Sequence, residues 1–238
     1  VYDFEYWAKR ILDLVEKRIG DLYPAGSDGK PVLGYLWART APCSNPACRA
    51  EIPLLRSFIL ATKGNGHQYV LEMSISGKNI TFTVSFSSTT NAMEGTMLTR
   101  GDVRCPICKQ ITPVEDLRSA GLEGKMSERM VAVITESSNG KSYRSVEPID
   151  ELAYKKAQEI CNSIEKPKEL ILPEITGNFS DEEVISNSTG IRVHLYGMKS
   201  WGSLFNPRQL VALNSFIESL KKICNEMETE IPKREYRD

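Results

Sequence analysis

Residues 37–58 read WARTAPCSNPACRAEIPLLRSF, with Cys43 and Cys48 flanking a Ser-Asn-Pro-Ala turn. Further on, VRCPICKQITP (103–113) sets Cys105 and Cys108 two residues apart around Pro106 and Ile107. Two tight turns, each offering a pair of thiolates, are what a tetrahedral zinc site with sulfur arms of about 2.3 Å requires. Pro46 and Pro106 lie inside these turns and Gly101 just before the second. Proline pre-sets a turn backbone and leaves neighbouring N–H groups free to point at sulfur. The other readings are a disulfide, or reduced thiols without a partner. No apolar leader or transmembrane run is visible in the chain, and disulfides are rare in the cytosolic compartment this suggests. The cytosolic reading of paired cysteines is therefore a structural zinc ion held by Cys43, Cys48, Cys105 and Cys108.

The 56 residues between the pairs are unusually many. Loop-closure entropy grows only logarithmically with length, so an insert that folds by itself makes the gap tolerable. The insert has that pattern. RSFILATK reads as a strand, and QYVLEMSISGKNITFTVSF as a hairpin of two alternating runs around Gly77, Lys78 and Asn79. PVLGYLWART is a strand entering the first cysteine turn, and RMVAVITES a β-rich strand after the second. Pro113 opens a short helix between them.

Helical periodicity frames this β-rich region. Trp7, Ile11, Leu14, Val15, Ile19 and Leu22 share one face of a first helix that Gly20 and Pro24 end. EPIDELAYKKAQEICNSI is a second amphipathic helix, with Pro148 early and acids in its first turn. Residues 166–190, with two prolines and two glycines, read as a linker. The run around His194 reads as a strand with that histidine on its polar face. Asn206 as N-cap and Pro207 at the first position open a long last helix, with Leu210, Leu213, Phe216, Ile217, Leu220 and Ile223 as its apolar face. Cys161 and Cys224 fall on apolar helical positions and read as small buried hydrophobes. His67 sits in a glycine-rich turn and reads as solvated.

The expectation is an α+β fold: an antiparallel sheet with a zinc-ribbon-like four-cysteine site, flanked by amphipathic helices. Its parts are an N-terminal helix (1–30), a β-rich zinc domain (31–147), a helix and linker (148–190), and a strand with the long C-terminal helix (191–238).

Charge limits the function. With 30 basic and 31 acidic residues, the chain does not bind nucleic acid by bulk charge. The acidic excess lies in 131–190, with 11 acids against 6 bases, outside the cysteine region. No glycine-rich phosphate loop follows a strand, no Gly-x-Ser-x-Gly elbow is present, and no Asp-Pro-Pro-Tyr occurs. No catalytic constellation emerges, and a closed four-thiolate site is structural rather than hydrolytic.

RIGDLYP, GYLWARTAPCSNPACRAEIPLLRSF, MEGTMLTRGDVRCPICKQITP, GKMSERMVAVI and YGMKSWGSLFNPRQLVAL, in this order, resemble the central region of a family of long prokaryotic adenine-specific DNA methylases. The resemblance covers nearly the whole chain. It differs from common family residues at Ser44, Ser203 and Asn206. It implies that the S-adenosylmethionine loop and the Asp-Pro-Pro-Tyr motif belong to flanking parts of a longer cytoplasmic parent. This chain would then be a non-catalytic fragment whose partners are the rest of the methylase polypeptide and double-stranded DNA, with no membrane. Arg39, Arg49, Arg56, Lys63, Arg100, Arg104 and Lys109 cluster in sequence around the cysteine turns and are the candidate phosphate contacts. The alternative is a docking insertion that braces the two methylase halves without touching DNA.

Overall fold

The structure is a computed structural model, and it describes residues 2–64, 66–88, 94–138, 140–166, 168 and 193–230. The chain is α+β and divides into two compact units. One is helical and comprises the described parts of Val1–Pro24, Pro148–Lys168 and Gly202–Asp238. The other is β-rich and comprises those of Ala25–Glu147 and Glu169–Trp201. Among the described residues, no helix is long and apolar enough to cross a membrane.

In the β-rich unit, β1 (Val32–Pro42) is the organising strand. It pairs antiparallel with β2 (Glu51–Pro53) at its C-terminal end and with β8 (Ser127–Ser137) along most of its length. β9 (Gly140–Arg144) completes a sheet of order β2-β1-β8-β9. The insert between the cysteine pairs holds a sheet of its own: β3 (Ile59–Thr62), β4 (Gln68–Ser76) and β5 (Asn79–Ser87), in that order. The alternation of 68–87 is realised as the expected hairpin. Ser76 pairs with Asn79 across Gly77 and Lys78, and Gly77 takes the positive φ of 61° that the tight turn needs. The two sheets face each other through Ala38, Val131 and Ala132 on one side and Phe58, Val70 and Leu71 on the other. Full burial of a side chain such as Phe58 or Leu71 contributes about 1.5–3 kcal/mol. Because side chains alternate along a strand, Trp37 and Arg39 leave β1 on the face opposite Ala38.

A third, two-stranded sheet carries the second cysteine pair: β6 (Val103–Arg104) and β7 (Ile111–Thr112). The helix expected after Pro113 follows as α2 (Val114–Leu122), where the Val114 N–H donates to the Asp102 carboxylate at 3.0 Å. That bond satisfies one of the orphan donors of the helix N-terminus.

Residues 193–196, read as a strand, form a single 3-10 turn, with His194 buried rather than on a polar face. The alternation there is only three residues long. Gly197, at φ 84°, ends the turn by donating its N–H to the His194 carbonyl at 3.0 Å. A β-carbon on Gly121 would lie 2.6 Å from the Tyr196 carbonyl oxygen, so glycine at that position of α2 is what lets this turn pack so closely.

In the helical unit, α1 (Tyr2–Ile19), α3 (Pro148–Cys161) and α4 (Pro207–Glu230) share a core of Val15, Ile19, Leu22, Ala157, Cys161, Leu210 and Val211. The start of α4 is a reciprocal capping box. The Gln209 N–H donates to the Asn206 side-chain oxygen at 3.0 Å, and the Asn206 N–H to that of Gln209 at 2.9 Å. The buried face of α4 keeps Leu210 and Ile223 of the expected one but not its other four residues. Val211, Ser215, Ser219 and Ile223 are buried, while Leu213, Phe216, Ile217 and Leu220 are exposed by 46, 43, 50 and 51%. Cys224 shares the exposed side and is itself exposed, whereas Cys161 is buried as expected. The 166–190 linker lies outside the described residues apart from Lys166 and Lys168.

Candidate metal centre

β1 delivers Cys43 at the end of one strand, and β6 delivers Cys105 at the end of another. Each strand then turns back on itself in the same way. The Cys43 N–H donates to the Ala50 carbonyl at 2.8 Å, and the Cys105 N–H to that of Gln110 at 2.9 Å. Inside the first turn, the Arg49 N–H reaches Asn45 O at 3.0 Å. Inside the second, the Lys109 N–H reaches Cys105 O at 3.0 Å. Arg49 (φ 51°) and Lys109 (φ 64°), each directly after the second cysteine of its turn, both occupy the left-handed region. The two turns are thus copies of one knuckle, although one spaces its cysteines by four residues and the other by two. They are tied together where Ser44 N–H donates to the buried Thr112 hydroxyl at 3.2 Å.

The knuckles bring all four predicted sulfurs together, each within 4.8 Å of the others. Cys43 and Cys108 Sγ are 3.6 Å apart, and Cys48 and Cys105 Sγ 3.9 Å. A tetrahedron with metal–sulfur arms of about 2.3 Å has edges of about 3.8 Å. A disulfide needs about 2.05 Å, and all six cysteines of the chain are free. The spacing therefore fits four thiolates around one ion and excludes the disulfide reading. Among the described residues, these four are the only group of three or more His, Cys, Asp or Glu side chains able to hold a metal.

Three of the four thiols are buried and belong to a small core with Ala41, Ala50, Ile52, Val103 and Leu117; Cys108 is half-buried. Burial pushes the Cys43 thiol up to about 12 and raises Cys105 as well. The backbone N–H of Gln110, donating to sulfur, brings Cys108 down to about 7. Without an ion, Cys43 and Cys105 keep their protons at neutral pH. A divalent cation held by the four sulfurs would replace those protons and neutralise the thiolates, so that binding would release protons. Were all four sulfurs to bind one ion, no position would be left for substrate.

The predicted basic residues fall into separate places. Arg49, Arg104 and Lys109 stand on the knuckles and are exposed. Lys109 Nζ folds back to donate to the Pro106 carbonyl at 2.6 Å. Arg100 sits in the 3-10 turn Thr99–Gly101 that precedes β6, with φ 75°, and Arg56 lies exposed between β2 and β3. Arg49, Arg56, Arg100 and Arg104 make no ion pair among the described residues. Lys63 lies in the β3–β4 region instead, donating to the Lys141 carbonyl at 2.7 Å, with its ammonium 5.8 Å from the Tyr69 ring centroid. Arg39 is half-buried on β1, and its guanidinium donates to the Met198 thioether at 3.1 Å. His67, expected in solvent, is half-buried and stacks on Phe86 with centroids 5.2 Å apart.

Sequence reasoning missed the cavity of about 430 Å³ into which Arg39 opens, lined also by Trp37, Met97, Met126, Tyr196 and Met198. With Leu54, Gly101 and Leu117, its lining comes from six separated segments. The only local signal was the Trp37–Arg39 spacing on one strand face.

Comparison of the chain with protein-family profiles, with curated proteins and with solved structures returns no match.

Proposed function

We propose that this chain is a zinc-stapled, non-catalytic region of an S-adenosylmethionine-dependent, adenine-specific DNA methyltransferase, and that it grips duplex DNA during target recognition. The observation that carries the recognition role is the rim of the metal centre. There Arg49 and Lys109 occupy equivalent knuckle positions beside Arg104, all three exposed. None of the three makes an ion pair among the described residues, and Lys109 is held by a carbonyl. Cations fixed on a rigid scaffold and lacking carboxylate partners suit phosphate contacts, which position a duplex without reading its sequence. Zinc is favoured over other ions because four thiolates at tetrahedral spacing match its preference for soft ligands. The methyltransferase part rests on the sequence resemblance, in which the cofactor loop and the Asp-Pro-Pro-Tyr motif lie in the rest of the polypeptide.

A docking insertion is the second reading, and the exposed stripe of Leu213, Phe216, Ile217 and Leu220 on α4 favours it. A salt titration of duplex binding separates the two. Each phosphate neutralised adds about −0.9 to the log–log salt slope. Reversing Arg49 and Arg104 to Glu flattens that slope if the rim grips DNA. The same reversal at Lys155 and Lys156 on α3 leaves it unchanged. Absence of duplex binding even at low salt removes the recognition role and leaves the docking reading.

A further inference from the structure

The cavity beside the metal centre has a composition that the staple does not need. Among the described residues its lining is uncharged apart from Arg39, and it contains Trp37, Tyr196 and three methionines. A volume of about 430 Å³ lies within the range of small-molecule sites, roughly 300–1,000 Å³. Trp37 and Arg39 pair regularly with Met130 and Glu128 across β1 and β8, so both side chains leave the same sheet face. Two strand residues separate their origins by about 7 Å.

The Arg39 guanidinium is the unexplained group. Among the described residues, its one side-chain partner is the Met198 thioether at 3.1 Å, a weak acceptor for a cationic fork built to hold an oxyanion. Among the described residues the lining offers no carboxylate, although Glu128, paired directly opposite Arg39 on β8, leaves the same sheet face. The chemistry asked for is one anionic group on a planar, apolar body. Indole stacks on any base face, and thioethers make favourable contacts with ring edges.

We infer that this cavity takes one unpaired nucleotide, its base against Trp37 and its phosphate on Arg39. This deepens the DNA-recognition reading and rests on it for the source of the nucleotide, an unstacked position of a DNA strand. Free mononucleotide carries the same chemistry. The site adjoins the knuckle core through Leu117, Met97, Met126 and Tyr196, so metal loss is expected to disorder both.

The test uses the full chain with three probes: radiolabelled dAMP in equilibrium dialysis, and a fluorescein-labelled ten-nucleotide single strand and its duplex in anisotropy. Stacking of about 1–3 kcal/mol per base corresponds to roughly 5- to 150-fold in affinity. Trp37→Leu is therefore expected to weaken dAMP and single-strand binding at least about fivefold, and Trp37→Phe, which keeps a ring, to restore most of it. Arg39→Gln, which gives up only a thioether partner and so should fold normally, is expected to cost about tenfold for dAMP and far less for the nucleoside lacking phosphate. Binding of dAMP and single strand that Arg39→Gln and Trp37→Leu both leave at the wild-type level overturns the site. So does equal binding of benzoate in place of dAMP. Duplex binding with a salt slope, but none of dAMP or single strand, overturns the nucleotide pocket while keeping the duplex grip. Arg39-dependent dAMP binding without duplex affinity keeps the pocket and removes the grip.

Discussion

Replacing Arg49 and Lys109 by glycine separates the DNA role of the knuckles from their folding. Both residues hold φ in the left-handed region, at 51° and 64°. That conformation costs an L-residue about 1–2 kcal/mol. Glycine removes the cost, but adds about 0.5–1 kcal/mol of freedom to the unfolded chain. Arg49 has no ion-pair partner among the described residues to lose, and Lys109 gives up only its bond to the Pro106 carbonyl. Stability of either variant should therefore be unchanged or higher by up to about 1 kcal/mol. The charges, in contrast, are gone. With two fewer phosphates neutralised, the salt slope becomes shallower by about 1.8, so between 50 and 200 mM salt the wild type should lose about twelvefold more affinity than the double variant. Thermal melts and anisotropy titrations on a 20-base-pair duplex measure both quantities. A double variant that melts normally and keeps the wild-type slope refutes the knuckle rim as the DNA-gripping surface. A double variant that unfolds refutes the reading of the two turns as strained equivalents.

Three further outcomes follow from the same geometry. Cys48→Ser and Cys105→Ser should each lose the metal by elemental analysis, while Cys224→Ser, exposed on α4, should keep it; metal retained in the first two contradicts the ligand set. Metal affinity should be lower at pH 6 than at pH 8 in a competition titration. Cys43 and Cys105 are raised by burial and hold protons that the ion must displace, while Cys108, near 7, also becomes protonated as the pH falls. A flat profile contradicts thiolate ligation. Gly121→Ala should lower stability by about 1–3 kcal/mol through overpacking against the Tyr196 carbonyl, whereas Gly124→Ser, with open space around it, should cost only backbone strain. A Gly121→Ala variant that melts like the wild type would show that the 193–196 turn is not docked on α2.

The parts of the fold carried by local signals were legible in the sequence. The alternation of 68–86 gave the hairpin, because one face of each strand is buried, but not its register: Asn79, read as part of the turn, pairs with Ser76. Asn206 and Pro207 marked the start of α4, because capping joins near neighbours in the chain; the reciprocal bond from Gln209 showed only in the structure. The cysteine spacing likewise announced two knuckles. Their equivalence was not legible, since one carries two more residues than the other. It shows in the matching hydrogen bonds and in the shared φ of Arg49 and Lys109. Which side of α4 is buried was also hidden. The helix has two candidate faces, and periodicity selects the larger side chains, Leu213, Phe216, Ile217 and Leu220. Packing keeps Leu210 and Ile223 of the expected face buried but otherwise turns inward the slimmer Val211, Ser215 and Ser219. His194 was misread because three alternating residues suit a strand and a 3-10 turn equally, and only the docking of Gly197 on Gly121 decides between them. The cavity at Arg39 draws on residues from 37 to 198, and no local pattern spans that distance.

Metal content and thiol reactivity, measured together on the native chain, test the central claim most directly. The account predicts one zinc ion per chain and a single fast-reacting thiol, Cys224, with Cys161 buried and the other four held by the ion. Denaturation with a chelator should then release the metal and expose all six cysteines. A native chain free of metal, in which the half-buried Cys108 thiol reacts readily near neutral pH, would contradict the metal centre and the role built on it.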